Sequence, residues 1–180
     1  MALICDRGAL LAQAGRIAEL PRGDRLTAAC DTLWNALGDA EPDASRRTVS
    51  WIGFYHVAQA GNGAGVDPGA SLLLGAHRDK PACSPIGMHG ACGQAFSGRR
   101  TLIVTDVAHL GEGYVACDPR DRSELVIPMF DDRGEAWGVL DADSFAAGAF
   151  DEGDADLLEK CCVDAGLTRR DSHPVAREIV

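Results

Sequence analysis

Apolar residues recur at helical spacing from Asp24 to Leu37, at Leu26, Ala29, Cys30, Leu33, Trp34 and Leu37, and Gly38 follows as a stop signal. The period then changes. Thr48–Val57 is rich in β-branched and aromatic residues and reads as a strand. Ala58–Ala70, built mainly of Gly and Ala with Asn, Asp and Pro, reads as a flexible hairpin connection to a second strand at Ser71–Ala76. His77–Gly90 carries Pro81, Pro85, Gly87 and Gly90, which fits neither period and predicts a long loop.

A short helix over Ala91–Ser97 and a strand over Thr101–Thr105 come next, then a second irregular segment from Asp106 to Asp121. Glu124–Phe130 and Ala136–Ala142 read as strands joined by the turn Asp131–Glu135, where Gly134 supplies positive φ. Pro128 belongs at an edge or a bulge. Asp151–Gly166 reads as a closing helix with acids at its N-terminus, and Thr168–Val180 as a polar tail. The order predicts an α+β fold: a central antiparallel β-sheet flanked by helices.

A chain of 180 residues that is 46% hydrophobic supports one core, so residues 1–180 are expected to form one domain whose core is about 24–167. Its 27 acidic and 17 basic residues give a net charge of −10, which argues against nucleic acid or an anionic membrane as partner and favours a small zwitterionic or cationic ligand. Met1–Leu11 contains Cys5, Asp6 and Arg7 and lacks the pattern of a secretory signal, and no apolar run approaches the roughly 20 residues of a membrane span. A cytoplasmic protein is expected. In a reducing compartment, thiols that pair are more often redox-active than structural.

Seven cysteines are present. Cys83, Cys92 and Cys117 lie in or beside the two irregular segments, where a thiol can be reactive; Cys5, Cys30, Cys161 and Cys162 read as ordinary apolar residues. Spacings among the first three lack the close CxxC knuckle of a zinc site, so no metal is expected. Alternation puts Asp141 and Asp143 on one strand face, a like-charge pair that a bound cation relieves, and Glu124 at the start of the neighbouring strand can join them. Solvated acids at a strand end are the plainer reading. Trp51 and Tyr55 share a face opposite Phe54 and can wall a ligand or fill the core. The glycines of Gly87–Gly93 lack the lysine of a phosphate loop.

Taken together, WIGFY (51–55), LLLGAHRDKPAC (72–83), GACGQA (90–95), VACDPRDRSELVIP (115–128) and GVLDADS (138–144) make a chain that resembles the free methionine-R-sulfoxide reductases, a branch of the GAF-domain fold. The resemblance implies reduction of the R epimer of free methionine sulfoxide. It implies Cys117 as the catalytic cysteine, Cys83 as the resolving one, and Cys92 as a third cysteine able to join the disulfide relay. Glu124, Asp141 and Asp143 match acids around the sulfoxide and amino groups of the substrate, and Trp51 and Tyr55 match aromatic positions near the pocket. No bound cofactor is implied; thioredoxin is the external reductant, and a homodimer is an open expectation. Rival readings are a GAF sensor that binds a small ligand and a thiol redox sensor that does not turn over.

Overall fold

A computed structural model describes residues 5–39, 48–57, 71–111, 114, 117–172 and 176–180. The proposed hairpin connection at 58–70 lies outside the described residues, as do parts of the second irregular segment and of the tail. Helices α1 (Arg7–Ile17) and α2 (Arg22–Leu37) lead into strands β1 (Trp51–Val57) and β2 (Leu72–Arg78). Helix α3 (Ala91–Gly98), β3 (Thr101–Val104), β4 (Ser123–Phe130), β5 (Ala136–Ser144), α4 (Glu152–Asp164) and β6 (Arg177–Ile179) follow.

Six strands form one sheet in the order β2-β1-β5-β4-β3-β6. Neighbours are antiparallel except for β6, which runs parallel to β3, so the sheet is mixed. The fold class is α+β. Three details depart from the sequence reading. Helix α1 is an additional element, started by Asp6 accepting from the Ala9 amide at 3.0 Å and joined to α4 by Arg7 on Asp154. The polar tail supplies β6, where Arg177 reaches Glu159 at 2.9 Å and Asp156 at 2.7 Å on α4. Those ion pairs draw a charged segment into the sheet. Third, Pro128 stands in an interior strand, past the last β3 pairing at Val126 and next to the register shift between Met129 and Phe130.

The period of two in the strands sorts residues between two cores. Ile52, Phe54, Ile103, Leu125, Ile127, Leu140 and Ala142 face α1, α2 and α4 and pack with Leu10, Leu33 and Leu158. On the other face, Trp51, Tyr55, Leu102, Val104, Val126 and Val139 pack with Ala91, Ala95 and Phe96 of α3. This second layer is thin, and loops complete it. Gly134, at φ +80°, makes the β4–β5 turn as its sequence predicts. Helix α4 begins with a reciprocal cap in which Asp151 and Asp154 each accept the other's backbone amide at 3.1 Å. No helix among the described residues is long and apolar enough to cross a membrane.

Candidate active site

Sheet register assembles the acids. Trp51 lies opposite Asp143, and Asp143 opposite Glu124, so one row across β1, β5 and β4 carries all three; Gly53 lies opposite Asp141 in the next row. A side chain at Gly53 would collide with the Trp51 ring, the nearest ring carbon being 2.4 Å from where a Cβ would stand, so the glycine lets the indole lie flat across the strand.

Oxygens of Glu124, Asp141 and Asp143 lie within 4.8 Å of one another, and all three residues are buried. At that separation two full charges repel by roughly 3 kcal/mol even at an effective dielectric of about 20. Protonation removes the conflict. Burial, with Asp141 next, pushes Glu124 up to about 8, and burial pushes Asp141 up to about 7. Asp143 rises well above the usual carboxylate range, from burial first and then from Asp141 and Glu124. Glu124 therefore holds its proton at neutral pH and Asp143 is pushed in the same direction, while Asp141 titrates near neutrality. The three can hold a single cation between them, and an ammonium group meets that demand as well as a metal ion does.

The second irregular segment presents Cys117. Asp118–Asp121 forms a turn closed by the Asp121 amide on the Asp118 carbonyl at 3.0 Å, with Pro119 in the position where its fixed φ suits a turn. Asp118 also accepts the Arg120 amide at 3.0 Å, and Asp121 the Asp118 amide at 3.2 Å. Cys117 stands at the head of this turn. Cys117 is exposed at the surface, yet partial burial of its thiol first, and then Cys83 and Asp141, push it up to about 12 against a lowering backbone interaction from Cys83, so the thiol holds its proton at neutral pH.

Cys83 lines the same cavity as Cys117 and acts electrostatically on its thiol. The first irregular segment that carries it is tied down at several points. Leu72 and Ile86 exchange backbone hydrogen bonds at 2.9 Å, the Leu74 amide donates to Ser84 Oγ at 3.0 Å, and Tyr55 Oη donates to the Cys83 carbonyl at 3.0 Å. Trp51 Nε1 donates to the Lys80 carbonyl at 2.8 Å.

A cavity of about 360 Å³ opens over this face, lined among others by Tyr55, Cys83, Cys92, Cys117, Glu124, Asp141 and Asp143. That size lies at the low end of small-molecule pockets. Seven of the eight residues singled out from sequence thus meet at one cavity. Trp51 does not line it; the indole lines a neighbouring space of about 90 Å³ shared with Cys117 and Asp143. All three aromatics of β1 are buried. Cys92, at the start of α3, is buried and donates to Asp141 Oδ2 at 3.0 Å, while Asp141 Oδ1 is buried without a hydrogen-bond partner in the protein. All seven thiols are free.

Two residues escaped the sequence reading. Tyr114 lines the cavity and hydrogen-bonds Glu124 through its hydroxyl, and Asp121, pushed up to about 6 by burial and by Asp118, acts electrostatically on all three acids. An aromatic residue among glycines in GEGYVACD was the available signal for Tyr114. For Asp121 there was none, because one acid among many on a polar turn looks solvated.

The chain is similar to known proteins in sequence and in fold. The GAF domain family matches residues 2–168. A curated relative, "Free methionine-R-sulfoxide reductase" of Saccharomyces cerevisiae, is 35% identical over 136 residues, which is 75% of this chain and 68% of that protein. The solved structure of fRMsr of Staphylococcus aureus in its reduced form is 31% identical and superposes with a TM-score of 0.73, covering 92% of this chain and 96% of the other. Free methionine-R-sulfoxide reductase from Neisseria meningitidis, solved in complex with its substrate, is 29% identical with a TM-score of 0.71, covering 92% and 91%. The chain belongs to the GAF-domain family and, within it, to the free methionine-R-sulfoxide reductases.

Proposed function

We propose that this protein reduces the R epimer of free methionine sulfoxide to methionine, with Cys117 as nucleophile and Cys83 as resolving thiol. The carrying observation is the convergence of Cys117 and Cys83 with the buried carboxyls of Glu124, Asp141 and Asp143 on one cavity. Glu124 donates a proton to the sulfoxide oxygen, which makes the sulfur electrophilic. Cys117 passes its own proton to the carboxylate left on Glu124 as it attacks, methionine leaves, and oxygen remains on Cys117 as a sulfenic acid that keeps the proton Glu124 gave. Condensation with Cys83 then releases water and closes a disulfide, which a thioredoxin-type dithiol reopens.

Ionised Asp141, which lines the cavity, supplies the negative charge that grips the substrate's ammonium group. Cys92 serves this carboxylate by donating to Oδ2, and its own thiol is pushed well above the usual range by burial and by Asp141. That leaves Cys83 as the better placed resolving residue. Steady-state assays should show turnover of free methionine R-sulfoxide and almost none of its N-acetyl derivative, which lacks the ammonium. Equal turnover of both would remove Asp141 from substrate recognition.

A further inference from the structure

Two of the segments that carry the family resemblance contain charged residues that the reaction above leaves unused, Lys80 and Asp118. Lys80 lies three positions before Cys83, and Asp118 directly follows Cys117. Lys80 Nζ donates to Asp118 Oδ2 at 2.8 Å, so one ion pair joins the loop bearing the resolving thiol to the turn bearing the nucleophile. Arg120 grips the same carboxylate, Nε on Oδ1 at 3.0 Å and Nη2 on Oδ2 at 2.7 Å. Both cations sit over the Phe145 ring, Lys80 at 5.0 Å and Arg120 at 4.4 Å from its centroid.

This pair is shielded on one side. The Asp118 side chain is 14% exposed, which leaves less solvent screening than an ordinary surface bridge has. Hydrogen bonds from Arg120 first, and from Lys80, hold the Asp118 carboxyl well below the usual range, so it stays ionised through neutral and mildly acid conditions. Tyr55 and Ser84 tie the loop back to the sheet, whereas the Lys80 side chain ties it across to Asp118, the residue after Cys117.

We propose that the Lys80–Asp118 ion pair, seated on Phe145, is a clamp that sets how fast Cys83 reaches oxidised Cys117, and so governs disulfide closure and not sulfoxide reduction. The proposal rests on the roles given to the two thiols above. In the step concerned, the S–O bond of the Cys117 sulfenic acid breaks as the S–S bond forms, and the proton of the Cys83 thiol leaves with the oxygen as water. No outside oxidant enters. Closure needs two sulfurs brought to bonding approach from different segments, and such steps lose rate steeply with small misplacements. Lys80 and Asp118 are positioning residues.

Lys80→Met, Lys80→Arg and wild type would be mixed with one equivalent of free methionine R-sulfoxide without reductant, and methionine and the Cys83–Cys117 disulfide followed separately by quench and mass spectrometry. The clamp predicts unchanged methionine formation in Lys80→Met, disulfide closure slowed about 10- to 100-fold, a dimedone adduct accumulating on Cys117, and recovery of closure in Lys80→Arg. Wild-type closure in Lys80→Met, or equal slowing of both steps, overturns it. Should wild type form no methionine, the assigned reaction fails and the clamp is tested alone, because hydrogen peroxide oxidises Cys117 directly and closure is then compared in the same variants.

Discussion

Replacing Glu124 with Gln tests the idea that burial keeps this acid protonated. The carboxyl moves from 4.5 to about 8 on folding, driven by burial and then by Asp141 and opposed by the hydrogen bond from Tyr114. Its ionised form is therefore disfavoured in the native state by on the order of 3–5 kcal/mol. The sign follows from proton counts: between about pH 4.5 and 8 the native protein holds this proton and the unfolded chain does not. Native stability thus falls as pH rises across that window and levels off above it.

Glu124→Gln removes this group's share of the fall, leaving the shares of Asp121, Asp141 and Asp143, while keeping an oxygen for Tyr114. Urea unfolding of both proteins at pH 5 and pH 9 should show the wild type losing on the order of 3–5 kcal/mol more than the variant between the two conditions. Activity should follow the same group. Wild-type kcat/KM declines above about pH 8 as the proton donor is lost, and the variant is slow at every pH and lacks that limb. Identical pH dependence of stability in the two proteins would refute the reasoning.

Although Cys117 is exposed, partial burial of its thiol together with Cys83 and Asp141 predicts a sluggish nucleophile. Its alkylation by iodoacetamide should keep climbing with pH well above the ordinary thiol value of 9.0, and a plateau by that pH would contradict a protonated resting state. Tyr55→Phe leaves the Cys83 carbonyl without its donor at 3.0 Å. Thermal unfolding should report a loss of about 1 kcal/mol, with slower closure of the disulfide in rapid-quench experiments; an unchanged closure rate would mean that Tyr55 does not hold the loop.

Much of the site was legible because strand periodicity is a strong signal. Alternation alone put Asp141 with Asp143 and Trp51 with Tyr55, and the short hairpin put Glu124 beside them, all as the register confirms. Loop contacts were not legible. That Cys83 shares a cavity with Cys117 while Cys92 turns to Asp141 depends on how two irregular segments fold over the sheet, which no local pattern encodes. Helix α1 and strand β6 escaped for a related reason. Only a narrow stripe of α1, Leu10, Ala14 and Ile17, is buried, and β6 is held by the ion pairs of Arg177 as well as by pairing with β3. Trp51 shows the limit of face assignment: it lies on the predicted face, yet its ring covers Gly53 and lines the adjoining cavity.

The claim that Cys117 is the atom that takes oxygen from a lone amino acid is tested most directly by a single turnover without reductant, resolved by epimer, on wild type and Cys117→Ser. Wild type should convert the R epimer of free methionine sulfoxide to one equivalent of methionine and leave the S epimer intact, and Cys117→Ser should form none. Methionine from Cys117→Ser, or equal consumption of both epimers by wild type, would contradict the account.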